Sequence, residues 1–110
     1  MMFAYQKFSA FSKFRFIYPG ANEGQLFAYS TDLEKIGIQN DVSVPNGAYV
    51  NVVSEPILIK RDKYGGTISV IKVQADVAID YHTVVKEFWV PTQYIIKIGT
   101  NAAQNSQLSN

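Results

Sequence analysis

A chain of 110 residues with 47% apolar and 17% charged side chains has the length and composition of one globular domain, which excludes an intrinsically disordered chain. Ten basic against nine acidic residues leave a formal charge of +1, so no global field recommends nucleic acid or a membrane surface as partner. The absence of cysteine excludes disulfides, thiolate nucleophiles and cysteine zinc sites.

The chain opens on an aromatic and basic arm or short helix, residues 1–13. Phe3, Tyr5, Phe8 and Phe11, followed by Phe14, Phe16 and Tyr18, are interleaved with Lys7, Lys13 and Arg15. Rings of this kind stack on bases and the cations hold phosphates, so the segment is a candidate partner-binding surface. Burying one phenylalanine is worth about 1.5–3 kcal/mol, which makes docking in the domain's own core or on a neighbouring subunit the expected use, ahead of nucleic acid and then of a membrane surface. The charges leave no apolar core for a signal peptide, and no run approaches the roughly 20 apolar residues of a membrane span. The mature protein is therefore expected to begin at Met1 and to reside in a virion or the cytoplasm.

Residues 14–98 predict a β domain. KFRFIYPG reads as a strand stopped by Pro19-Gly20. STDLEKIG reads as one helical turn, with Thr31 as cap, Glu34 completing a capping box, Leu33 and Ile36 on one face and Gly37 at the end. VPNGAYVNVV is a turn at Pro45-Asn46-Gly47 feeding a strand, and PILIKRD forms a hairpin with the strand after Gly65-Gly66. The longest signal spans residues 71–82. Ile71, Val73, Ala75, Val77, Ile79 and Tyr81 alternate with Lys72, Gln74, Asp76, Ala78, Asp80 and His82, the pattern of a strand with one face in the core. Ile68 and Val70 take the opposite parity, so a β-bulge or sharp bend is expected near Val70-Ile71. TVVKEFWV and YIIKI supply two further strands across Pro91-Thr92-Gln93, and residues 99–110 form a polar tail with no core role. About six strands, one helical turn and no βαβ spacing predict an all-β fold, a small barrel or sandwich.

Two stretches carry a family resemblance. YVNVVSEP, residues 49–56, resembles the VNVRSGP opening strand of bacterial SH3-like domains, and WVPTQYI, residues 89–95, resembles their closing WVPSSYL and the FPSNYV of eukaryotic SH3 domains. The resemblance implies an SH3-like barrel, with an OB-like barrel as the alternative, in which a proline, a 3₁₀ turn and a tyrosine precede the last strand. It also implies a groove holding Tyr49, Trp89, Pro91 and Tyr94 for a proline-rich peptide or a cell-wall polymer. Val53 and Glu55 stand where the bacterial pattern has arginine and glycine. The competing expectation makes the four half-buried barrel residues, Tyr49 and Trp89 mostly buried and Tyr94 partly exposed.

Asp76, Asp80 and His82 share a parity on the predicted long strand, and Glu87 could join them from a neighbour to bind a metal or exchange protons. Alternate positions on a strand lie about 7 Å apart, so a solvated outer face is the expected reading, with no metal and no cofactor. No G-x-S-x-G, HExxH, Walker or dinucleotide motif occurs, and an enzyme is not expected. The function expected from these features is that of a non-catalytic structural or assembly protein. It would be a β-barrel subunit of a larger complex such as a virion or phage particle, oligomeric or held among other protein subunits. A nucleic-acid-binding barrel is the first alternative, and an SH3-like module for peptide or cell wall the second.

Overall fold

The computed structural model describes residues 13–61 and 65–98. In chain order its strands are β1 (Phe14–Phe16), β2 (Leu26–Tyr29), β3 (Val42–Pro45), β4 (Tyr49–Val52), β5 (Ile57–Arg61), β6 (Gly66–Ile79), β7 (His82–Pro91) and β8 (Ile95–Lys97). Two 3₁₀ turns, Leu33–Lys35 and Thr92–Tyr94, lie between β2 and β3 and between β7 and β8. Apart from Lys13, the aromatic arm falls outside the described residues, as does the polar tail.

Six strands form an antiparallel sheet in the order β5-β6-β4-β1-β8, with β7 along the other edge of β6, while β2 and β3 pair as a separate two-stranded sheet. One bridge joins the two sheets, the Trp89 N–H donating to the Ser30 carbonyl at 2.9 Å. The fold is all-β, with eight strands where about six were predicted. Among the described residues the path of paired strands does not return on itself as a closed ring.

The alternation of β6 builds the core. Ile71, Val73, Ala75 and Val77 are buried and meet Phe88 and Val90 of β7, Val42 and Val44 of β3, Val50 of β4 and Phe16 of β1. The alternation stops sooner than the sequence suggests: β6 ends at Ile79, and Asp80 and Tyr81 form a two-residue turn between the paired Ile79 and His82. The parity switch upstream is resolved differently from the expected bulge in β6, which pairs without interruption as Val70–Pro91 and Ile71–Val90. Both Val70 and Ile71 are buried. The irregularity sits in the partner instead. β4 pairs Val52 with Val73, β5 pairs Ile57 with Val70, and the intervening Val53–Pro56 segment holds two residues more than a continuous strand would. There the Ser54 hydroxyl accepts from the Lys72 N–H at 3.0 Å in place of a ladder carbonyl.

The first 3₁₀ turn is capped by Asp32, whose carboxylate accepts from the Glu34 N–H at 2.9 Å, and not by Thr31. Thr31 is turned away because its N–H and hydroxyl both donate to Asp41, at 2.9 and 2.6 Å. Those two bonds, the hydroxyl's first, hold the Asp41 carboxyl below its ordinary pKa.

Between β1 and β2 the chain joins no strand ladder, and one side chain gathers most of its long-range hydrogen bonds. The buried Asn46 accepts from the Tyr18 N–H at 2.8 Å through Oδ1 and donates through Nδ2 to the carbonyls of Ala21 at 3.1 Å and Asn22 at 3.3 Å. Its own N–H and C=O bond to Gln25 and Gly24, so every polar atom of the residue ties down residues 18–25. Gly47 beside it has φ +94°, where a Cβ would come within 2.7 Å of the Arg15 guanidinium.

Candidate functional site

The end of β1, the β2 strand and the second 3₁₀ turn converge on a cluster of aromatic rings. β1 delivers Phe16 into the core, where its ring meets Phe27, Tyr29 and Tyr94 edge-on at 5.9, 5.5 and 6.3 Å. Two residues on, Tyr18 stacks on Phe27 at 4.5 Å and 14° and tilts against Tyr94 at 4.7 Å. The Ile17 N–H donates to the Tyr94 carbonyl at 2.8 Å, which pins the two chain segments together. Above this cluster Tyr18, Pro19, Gln93 and Tyr94 line an open notch of about 360 Å³. Pro19 and Gln93 are exposed, and both tyrosines are half-buried. The notch therefore offers flat apolar walls, a rigid proline edge, phenol hydroxyls and one side-chain amide, which suits a small apolar or aromatic group carrying a polar tip.

Burial pushes the Tyr29 hydroxyl well above its ordinary pKa, and the neighbouring Tyr94 and Tyr18 phenols push it in the same direction. Arg15, the nearest guanidinium in sequence, points to the opposite face of β1. Its Nε donates to the Gly47 carbonyl at 2.8 Å, its Nη2 bonds Glu23 at 3.0 Å, and its guanidinium stands 5.1 Å over the Tyr49 ring.

The four residues of the expected groove do not come together. Register decides this: Arg15 pairs with Tyr49 on one side and Ile96 on the other, so these three share a face, whereas Phe16 pairs with Ile95 on the core face where Tyr94 packs. Tyr49 is consequently 42% exposed on the outer face, not buried as expected. Trp89 is half-buried on the outer face of β7, opposite Lys72, whose ammonium lies 5.6 Å from its ring centre. Pro91 ends β7 beside Val70 and leads into the 3₁₀ turn, and of the four only Tyr94 reaches the notch. Lys13 is exposed, while Phe3, Tyr5, Lys7, Phe8 and Phe11 lie outside the described residues.

The carboxylates and the histidine are also dispersed. Asp76 is paired with Val85, Asp80 sits in the tight turn and His82 starts the next strand on the parity of Ile79, so the three share no face. Glu87 is occupied by Gln74 at 2.8 Å and Lys72 at 3.4 Å. Among the described residues no three of His, Cys, Asp and Glu converge as metal ligands, and no helix is long and apolar enough to cross a membrane.

Sequence reasoning placed Tyr18 with the base-stacking arm and left out Phe27, Tyr29 and Asn46. The signal for β2 was present in LFAY, where Leu26 and Ala28 are exposed and Phe27 and Tyr29 turn inward. The chain matches no protein-family model, no curated protein and no solved structure.

Proposed function

We infer that the protein is a non-catalytic docking module, SH3-like in its chain path, that holds a short segment of a protein partner in the Tyr18–Pro19–Gln93–Tyr94 notch as part of a larger assembly. The observation that carries this reading is the notch itself: two partly exposed tyrosines, Tyr18 stacked on Phe27 and Tyr94 braced edge-on by Phe16, beside a proline and an amide. Rings fixed from beneath lose little freedom when a ligand covers them, which is the property of an interaction anchor. The side chains that line the notch are two phenols, a proline and an amide, with no carboxylate, imidazole or amine among them.

The SH3-like path is supported by the chain's return. After the long β6–β7 hairpin comes a proline, a 3₁₀ turn and Tyr94, and β8 then pairs directly with β1. Nucleic-acid binding is less supported, because Arg15 and Lys72 already cover the Tyr49 and Trp89 rings on which bases would stack.

The test is a chemical-shift titration of the full chain with proline-containing peptides and, separately, with single-stranded oligonucleotides. Peptide should shift the amides of Tyr18, Gln93 and Tyr94 and leave those of Tyr49 and Trp89 unmoved. Shifts confined to the outer face, or produced only by oligonucleotide, would sink the docking reading.

A further inference from the structure

The far end of the β6–β7 hairpin carries a feature that the fold does not require. Asp80 and Tyr81 both have positive φ, 50° and 67°, in a two-residue loop, the geometry of a type I′ turn. That turn is served by Asn-Gly or Asp-Gly, and a bulky side chain with φ above zero is an outlier that persists only for a reason. Among the described residues nothing supplies one, since Tyr81 is fully exposed and every residue from Ala78 to Thr83 is exposed with it. The tip thus holds a tyrosine, strained and bare, on a two-stranded arm beyond the reach of β4, which pairs with β6 only at Val73 and Gln74.

We propose that Tyr81 is a docking knob whose receptor is the Tyr18–Pro19–Gln93–Tyr94 notch of a second copy of this chain. The proposal rests on the docking reading of the notch and names its occupant. A volume of about 360 Å³ is at the small end of ligand clefts, which run from roughly 300 to 1,000 Å³, and leaves ample room for one aromatic side chain. The lining matches a tyrosine in particular: Tyr18 and Tyr94 present faces and edges to a ring, and the Gln93 amide can pair with its hydroxyl. Knob and notch of one molecule cannot meet. β7 runs from His82 beside the knob to Pro91 beside the notch, about 30 Å at 3.3 Å per residue. The contact is therefore between copies and head-to-tail, which propagates into a ring or an open filament according to the rotation per step. A formal charge of +1 per chain opposes such growth very little.

Mass measurement of the full chain from low to several hundred micromolar tests this. The wild type should associate with concentration and Tyr81→Phe should retain most of that association. Tyr81→Gly, which removes the ring and relieves the backbone, should weaken it by at least about tenfold while remaining folded, as loss of an interface anchor does. Gln93→Arg, a change at an exposed wall of the notch, should weaken it comparably, and an equimolar mixture of the two variants should form pairs that grow no further. A wild type that stays monomeric throughout, or a Tyr81→Gly variant that associates like wild type, overturns the proposal. If the wild type is monomeric yet peptides still shift the notch amides, the self-docking falls while the docking site stands.

Discussion

The β6–β7 hairpin and the loop from Ile17 to Gln25 are ordered by opposite means. The hairpin repeats one rule over ten pairs from Val70–Pro91 to Ile79–His82, each placing two side chains on one face, successive pairs on alternate faces, with ladder bonds at every second pair. The loop has no ladder, and most of its long-range hydrogen bonds converge on Asn46, with the Ile17–Tyr94 bond and the Arg15–Glu23 ion pair beside them. Distributed support tolerates the loss of any one member, whereas a single hub concentrates the cost of its removal. The notch is built on the second kind of support, since Tyr18 and Pro19 stand on the loop that Asn46 holds.

That contrast can be broken or sharpened by substitution. The largest effect is expected where the two regions share a residue: Phe16, fully buried between β6 and the aromatic cluster, should cost about 3–5 kcal/mol on Phe16→Ala, read by denaturant unfolding. Asn46→Ala orphans the Tyr18 N–H and the carbonyls of Ala21 and Asn22, and a loss of about 2–3 kcal/mol is expected, together with a collapsed near-ultraviolet signal from the tyrosines. Ile71→Val in the hairpin should cost only about 0.5–1.5 kcal/mol. A hairpin change that outweighed Asn46→Ala would invert the comparison.

The smallest effect is confined to alkaline solution. Tyr29 has a folded pKa raised above its unfolded value of about 10, so the folded state keeps a proton that the unfolded chain releases. Its contribution is complete below about pH 10 and is lost progressively as pH rises toward the folded pKa. Tyr29→Phe should flatten that alkaline decline in thermal stability and leave neutral stability little changed.

The hairpin was legible in the sequence because its period of two is written in consecutive residues from Ile71 to Val77. The turn that ends it was not, because Asp80-Tyr81 lacks the glycine that marks such turns and Tyr81 continues the apolar parity. Thr31 and Asp32 are both able to cap, and the choice between them was made by Asp41, ten residues beyond Thr31. The candidate site was the least legible part. Tyr18 and Tyr94 meet only through the β1–β8 register, and the resemblance of residues 89–95 to a closing SH3 strand pointed to Tyr94 without pointing to its companions. The β1–β4 register sent Tyr49 to the outer face, which no local pattern around it could announce.

The interruption between β4 and β5 constrains how the gene for this chain can change length. Because the extra segment around Ser54–Pro56 amounts to two residues, Ile57 and Ile59 keep the strand parity they would have had without it. Removing or adding residues there in pairs would preserve which side chains face inward on β5, whereas a single-codon deletion would turn Leu58 in and both isoleucines out. Surviving length variants at this position should therefore differ by even numbers of codons.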